Sequence, residues 1–166
     1  LVPRATDLEQ LVTELNAKVQ ANARGERFIT LFIGLIDLRT RRMQYVNAGH
    51  NDPLLHHASG ITPMREGCIA LGMMPTLPFL RSGEVELPTN STLLCYTDGL
   101  VEQENEAGLS FETAPVAKIL NSMVNSSAKA INEALVSAFD RHRNGQPYLD
   151  DIAAVSYTHL RAHETP

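Results

Sequence analysis

Apolar residues recur at helical spacing near the start of the chain. They would form one face of an amphipathic helix over residues 6–21, which Thr6 or Asp7 could cap. The residues of this face are Leu8, Leu11, Val12, Leu15 and Val19. Residues 22–26, which include Gly25, break the pattern, so we predict that the helix ends there.

The pattern then changes to short runs rich in β-branched, aromatic and other apolar residues, with turn residues between them. The predicted strands cover residues 27–38, 43–48, 54–57, 61–64, 84–87, 91–97 and 149–157. The first two would form a hairpin, His56 and His57 would lie at a strand edge, and residues 65–83 would be irregular. Helical spacing returns in residues 111–124 and again in 131–139. The successive short strands predict an antiparallel meander. With the helices, the pattern predicts a layered α+β fold, two antiparallel sheets with helices outside.

Composition and charge exclude several classes of function for this chain. The chain has 166 residues, 43% of them hydrophobic and 20% charged, as expected for one globular domain. A net charge of -5 argues against general nucleic-acid binding. Two distant cysteines form neither a zinc pattern nor a disulfide framework, and no apolar run is long enough to span a membrane. We expect a cytoplasmic protein with no membrane segment within this chain.

The two ends of the chain differ from the rest. Residues 1–4 are similar to a thrombin-site remnant of an expression vector, with a native origin as the alternative. Residues 158–166 follow the last strand without a pattern of their own. We expect the domain to cover residues 5–157 and the tail to be disordered or vector-derived.

Acidic residues flank two of the predicted strands. Asp98 follows the strand at 91–97 and is followed by Gly99, whereas Asp150 and Asp151 precede the last apolar run. If these strands pair antiparallel, Asp98 and Asp150 meet at one rim of the sheet. Clustered carboxylates repel each other unless a cation neutralises them, and Mg²⁺ and Mn²⁺ prefer oxygen ligands. Such a site could activate water and clamp a phosphoryl group.

Ordinary structural roles compete with this interpretation. Asp-Gly after a strand is typical of a turn, and Asp-Asp before a strand is often a solvated loop. His50 could act as a general acid, although we favour a structural hydrogen-bonding role. We also favour a solvated loop over water-mediated metal contacts for Glu102 and Glu104. No residue is predicted to be a catalytic acid, base or nucleophile.

Five segments resemble the SpoIIE/RsbU branch of the metal-dependent (PPM) serine/threonine protein phosphatases. They are residues 27–38, 45–55, 71–73, 94–102 and 150–152. The pair Asn-Ala-Gly-His at 47–50 and Tyr-Thr-Asp-Gly at 96–99 is the specific part of this resemblance.

The resemblance implies an antiparallel β-sandwich flanked by helices, with a two-metal centre that uses Mn²⁺ or Mg²⁺ at one end of the sandwich. Asp98 and Asp150 would be ligands, Asp151 would stand beside them and Gly99 would shape the turn. The implied substrate is a phosphoserine or phosphothreonine protein, such as an anti-anti-sigma-type regulator in bacterial signalling and sigma factor regulation.

The chain departs from the family pattern in two respects, of which Ala153, where the branch often has Thr, is the minor one. Family members carry an upstream Gly-Asp-x-x-Gly-x-Gly turn with a bridging aspartate, and neither Asp7 nor Asp37 stands in such a setting. We therefore expect an N-terminally truncated domain that binds Mn²⁺ weakly, hydrolyses poorly and forms a homodimer through exposed sheet edges. The main alternative is a non-catalytic pseudophosphatase that binds a signalling partner. An unrelated α+β domain would require all five matches to be coincidental.

Overall fold

A computed structural model describes residues 7–23 and 27–159. The proposed vector remnant at 1–4 lies outside the described residues, as does the tail from residue 160. The chain divides into two compact units. The first unit comprises Leu1–Asp52 and Met64–Leu87, and the second comprises Pro53–Pro63 and Pro88–Pro166.

The first unit contains one helix and one four-stranded sheet. These elements are α1 (Leu8–Ala23), β1 (Leu31–Asp37), β2 (Arg42–Ala48), β5 (Gly67–Cys68) and β6 (Gly83–Glu86). The sheet has the order β1-β2-β5, with β6 also paired to β2. Asp7 caps α1, because its Oδ1 accepts the N–H groups of Glu9 and Gln10 at 3.0 and 3.2 Å.

The core of the first unit lies under α1. Its buried members are Leu8, Val12, Val46, Ala48, Cys68 and Leu71. Leu8 and Val12 are the apolar positions that predicted the helix, and both are fully buried. Burial of this stripe, rather than intrinsic propensity, is the main source of stability for a helix of this length.

The second unit contains the other four-stranded sheet and three helices. These elements are β3 (Leu54–His57), β4 (Gly60–Pro63), β7 (Ser91–Tyr96), α2 (Asp98–Val101), α3 (Thr113–Ser122), α4 (Ala128–Arg143) and β8 (Ala154–His159). The strand order is β4-β3-β7-β8, and every neighbouring pair is antiparallel.

The core of the second unit joins its sheet to α3 and α4. Its buried members are Leu54, Leu94, Tyr96, Leu100, Phe111, Val116, Leu120, Ile131, Leu135 and Phe139. Ser127 caps α4 by accepting the N–H of Ala130 at 3.2 Å, and Asn144 ends the helix in a left-handed conformation. No helix in the described ranges is both long and apolar enough to cross a bilayer.

The predicted mixture of antiparallel sheets and helices is confirmed, with differences in detail. β1 is shorter than predicted, because Ile29 forms an isolated bridge with Leu71 instead of pairing with β2. Residues 65–83 were expected to be irregular, yet they contain β5, which pairs parallel with β2. β3 does not extend a meander from β2, because it pairs with β4 and β7 in the other sheet.

Two further expectations were wrong. His56 does not lie at a sheet edge, because β3 runs between β4 and β7 and the His56 side chain is only 5% exposed. The last strand begins at Ala154 and continues to His159. Thr158 and His159 therefore pair with Thr92 and Ser91 instead of starting a tail.

Candidate active site

β7 lies between two other strands, which explains why its sequence is apolar without clear alternation. Leu94 and Tyr96 pack in the core of the second unit, and Leu93 on the other face is also buried. Burial raises the pKa of the Cys95 thiol to about 11, so it stays protonated and is no candidate nucleophile. Because β7 is buried between β3 and β8, it fixes the position of the segment that begins at Asp98.

The strands next to Asp98 and Asp150 pair antiparallel, which is the condition on which the expected meeting of the two aspartates depends. The β7–β8 ladder ends at the pair Tyr96 and Ala154, and one further bond joins the Thr97 N–H to the Ala153 carbonyl at 3.0 Å. Asp98 follows β7 and Asp150 precedes β8, so both extend from the same end of the sheet.

Thr97 holds the two segments together at this end. Its hydroxyl donates to the Asp151 carbonyl at 3.0 Å and accepts the Ala153 N–H at 2.9 Å. The sequence placed Thr97 in a recognisable motif but did not assign it this role, because a threonine at a strand end is ordinary. If the two strands are assumed to pair antiparallel, Thr97 lies opposite the Asp150–Asp151 pair, and this position could have indicated its role.

Gly99 allows the backbones of the two segments to approach closely. A Cβ at this position would lie 2.5 Å from the Asp151 carbonyl oxygen and 3.3 Å from the Asp150 carbonyl carbon. The glycine is therefore required by space and not by an unusual φ, since a side chain would displace the Asp150–Asp151 backbone.

The carboxylates are exposed and only partly engaged. Asp98 Oδ1 accepts the Gly99 N–H at 3.0 Å, and Asp150 Oδ1 accepts the Asp151 N–H at 2.7 Å. No ion pair among residues 7–23 and 27–159 involves Asp98, Asp150 or Asp151. The three acidic residues therefore form an exposed oxygen-rich end of the sheet without a cationic side-chain partner.

The donor chemistry of this end fits a hard divalent cation. Mg²⁺ is commonly held by one or two carboxylates with water in the remaining positions. No group of three or more His, Cys, Asp or Glu side chains that could hold a metal ion occurs within the described parts of the chain. Asp98 and Asp150 would thus supply part of a coordination shell.

His50 belongs to the first unit. Its N–H donates to the Asn47 side-chain oxygen at 2.8 Å, and the Asn47 amide donates to the Met64 carbonyl at 3.2 Å. In the Asn-Ala-Gly-His motif, the Asn47 side chain therefore holds the turn by binding the backbone of His50 and Met64. Glu102 and Glu104 in the second unit are exposed, as expected for a loop.

Comparisons with known proteins identify the fold. The chain superposes on the SiaA-PP2C domain of Pseudomonas aeruginosa with a TM-score of 0.69 and 19% identity, covering 92% of this chain and 71% of that one. The phosphatase domain of SpoIIE from Bacillus subtilis gives 0.66 and 13% identity, covering 100% and 78%. These similarities show the fold of a PP2C phosphatase domain.

Two relatives are similar in sequence as well. The RsbU and RsbW domains of Rv1364c from Mycobacterium tuberculosis match with a TM-score of 0.70 and 25% identity, covering 95% of this chain and 43% of that one. Protein IcfG of Synechocystis sp. is 28% identical over 131 residues, which are 78% of this chain. The chain spans 20% of the length of that curated relative.

A family model settles the assignment. The model described as Stage II sporulation protein E (SpoIIE) matches residues 1–159, which include β7, β8 and both acidic segments. The alternative of an unrelated α+β domain is thereby excluded, and the chain belongs to the SpoIIE family.

Proposed function

We propose that this domain is a metal-dependent phosphatase that removes phosphate from phosphoserine or phosphothreonine proteins. The observation that carries the proposal is the position of Asp98 and Asp150, which extend from one end of the β7–β8 pair in a SpoIIE-family chain with a PP2C fold. Among relatives, a SpoIIE phosphatase domain and a SiaA-PP2C domain share this fold.

We propose that Asp98 and Asp150 are the metal ligands. Bound Mn²⁺ or Mg²⁺ would supply Lewis-acid activation of the phosphoryl group and of water. The chain itself orients the two carboxylates through the Thr97 bonds and the close approach at Gly99. Since only two carboxylates are proposed as ligands, we expect weak metal binding by this chain.

Membership of the SpoIIE family supports a proposal for the biological setting. We propose that the substrate is a phosphorylated regulator of the anti-anti-sigma type in bacterial signalling, and that the reaction takes place in the cytoplasm. One relative carries an RsbU and an RsbW domain in a single protein. This arrangement supports the proposal that the present domain acts together with other domains or proteins.

The direct test is Mn²⁺-dependent phosphate release from a phosphoserine protein. We expect Asp98→Asn and Asp150→Asn each to lower the rate by about 100-fold, because a lost ligand removes several kcal/mol of transition-state stabilisation. Asp37→Asn is the matched control, since Asp37 ends a strand of the other unit, and it should leave the rate unchanged.

A non-catalytic role would give a different result. A pseudophosphatase would release no phosphate with or without Mn²⁺, yet would still bind a signalling partner. Metal-independent release, or release unaffected by either substitution, would contradict the proposed ligands.

A further inference from the structure

The side chain of Gln103 is polar but almost completely buried. It is 1% exposed and lies just after α2, in the loop that follows the Asp98 segment. A buried amide is costly unless its donors and acceptor find partners. Those partners show what the residue does.

The partners of Gln103 are backbone groups near Asp150. Its amide nitrogen donates to the Pro147 carbonyl at 3.1 Å and to the adjacent Glu104 carbonyl at 3.0 Å. Its Oε1 accepts the Leu149 N–H at 3.3 Å. Gln103 therefore joins the segment that carries Asp98 to the segment that leads directly into Asp150.

The loop before Asp150 has little burial to hold it. The Tyr148 and Leu149 side chains are 61% and 58% exposed. Tyr148 does stack on Phe139 with ring centroids 6.3 Å apart, and the Arg143 guanidinium lies 4.5 Å from the Tyr148 ring centre. These contacts orient the ring, whereas the Gln103 bonds hold the backbone on either side of it.

Gln103 and Thr97 act on opposite sides of the acidic pair. Thr97 holds the backbone after Asp150 through the Asp151 carbonyl and the Ala153 N–H. Gln103 holds the backbone before it, through Pro147 and Leu149. Along the chain, Asp98 lies between Thr97 and Gln103. Asp150 lies between the backbone groups that these two residues bind.

We propose that Gln103 is a positioning residue that sets the place of Asp150 relative to Asp98. The consequence for metal affinity rests on the proposed function, whereas the effect on the loop does not. Residues that hydrogen-bond directly to metal ligands typically contribute about 10–100-fold to metal affinity. Gln103 bonds to the backbone beside Asp150 and not to Asp150 itself, so we expect the lower end of that range.

The test uses Gln103→Met, which keeps the length of the side chain and removes its hydrogen bonds. Gln146→Met is the matched control, because Gln146 lies in the same loop and bonds to Arg143 through its backbone. Amide hydrogen exchange of the metal-free protein and Mn²⁺ affinity by calorimetry are measured for both variants and for the wild type.

We expect Gln103→Met to speed exchange at Leu149 and its neighbours by about 10-fold or more, with α4 unchanged, because a lost bond of about 1.4 kcal/mol is worth that factor. Mn²⁺ affinity should fall about 10-fold. Gln146→Met should change neither quantity. Gln103→Glu keeps an acceptor for the Leu149 N–H, so exchange there should stay slower than in Gln103→Met.

Unchanged exchange at Leu149 in Gln103→Met would overturn the proposal. So would faster exchange accompanied by wild-type Mn²⁺ affinity, because the bond would then not position the ligand. If Gln103→Met does not fold, Gln103→Asn takes its place, because its shorter side chain would not reach the Leu149 N–H. Faster exchange at Leu149 with α4 unchanged would then support the proposal, and exchange equal to that of the Gln146→Met control would overturn it. If the wild type binds no Mn²⁺, the proposed function fails and the exchange data alone decide the role of Gln103.

Discussion

Aspartates at the ends of β1 and β7 have different environments. Asp37 closes β1, and its Oδ1 accepts the N–H groups of Arg39 and Thr40 at 2.8 and 3.2 Å. Asp98 follows β7, and its Oδ1 accepts the N–H of the adjacent Gly99. Asp37 therefore stabilises a hairpin turn, whereas Asp98 extends from the same sheet end as Asp150. An acidic residue after an apolar strand becomes a candidate ligand only when long-range pairing brings a second one to it.

The largest expected difference between the two regions is at their glycines. Gly99→Ala would place a Cβ against the Asp151 carbonyl oxygen. Relief of this clash requires a shift of the Asp150–Asp151 backbone, which costs stability. Gly34→Ala in β1 would meet the terminal methyl of Met43, which is the flexible end of a side chain. We expect Gly99→Ala to lower the free energy of unfolding by about 1–3 kcal/mol and Gly34→Ala by less.

Urea unfolding of the two variants measures this difference, and Mn²⁺ calorimetry should show that only Gly99→Ala weakens binding. Equal destabilisation by the two substitutions would mean that the Asp150–Asp151 backbone is not held against Gly99.

A smaller effect is expected from Asp37→Ala. The N–H and hydroxyl of Thr40, followed by the N–H of Arg39, lower the pKa of Asp37. A lowered pKa in the folded state means that the ionised carboxylate stabilises the protein above its unfolded pKa of about 3.8, and that this contribution is lost as the pH falls through the folded pKa.

Asp37→Ala should therefore lower the melting temperature at pH 7 without changing Mn²⁺ affinity, and its difference from the wild type should shrink as the pH falls through the lowered pKa of Asp37. Asp98→Ala should show the opposite pattern, with weaker Mn²⁺ binding and little change in melting temperature. A loss of Mn²⁺ binding in Asp37→Ala would remove the distinction between the two strand ends.

The smallest expected effect concerns the strand beside β7. Burial and the charge of His57 lower the pKa of His56 below its usual value of 6.5, although a hydrogen bond to the Asn121 side chain acts in the opposite sense. The unfolded chain then binds a proton more readily, so stability should fall as the pH drops below about 6.5 towards the folded pKa.

One proton limits this slope to about 1.4 kcal/mol per pH unit. Urea unfolding between about pH 8 and pH 5.5 measures it, with His56→Gln expected to flatten the slope and the neighbouring His57→Gln expected to preserve most of it. A slope unchanged in His56→Gln would assign the pH dependence to another group.

The sequence allowed the main elements of the site to be predicted. The two apolar strands next to Asp98 and Asp150 had strong patterns, and the meeting of their acidic ends follows once the strands are assumed to pair antiparallel. Helix α1 was equally clear, because its apolar stripe has a helical period and Asp7 stands at its start.

The missed features depend on contacts that local patterns do not encode. β5 is two residues long, and its parallel pairing with β2 leaves no periodic signal. His56 is polar, so its burial between β4 and β7 could not be read from residue type. The interactions of Thr97 with Asp151 and Ala153 connect residues far apart in sequence, and they become visible only once β7 and β8 are paired.

The division of the chain into two units has a consequence for protein engineering. The backbone passes from one unit to the other three times, at Asp52–Pro53, Pro63–Met64 and Leu87–Pro88, and a proline stands at each passage. Each sheet therefore draws strands from two separate stretches of sequence. Neither unit can therefore be expressed, deleted or fused as one continuous fragment of the sequence.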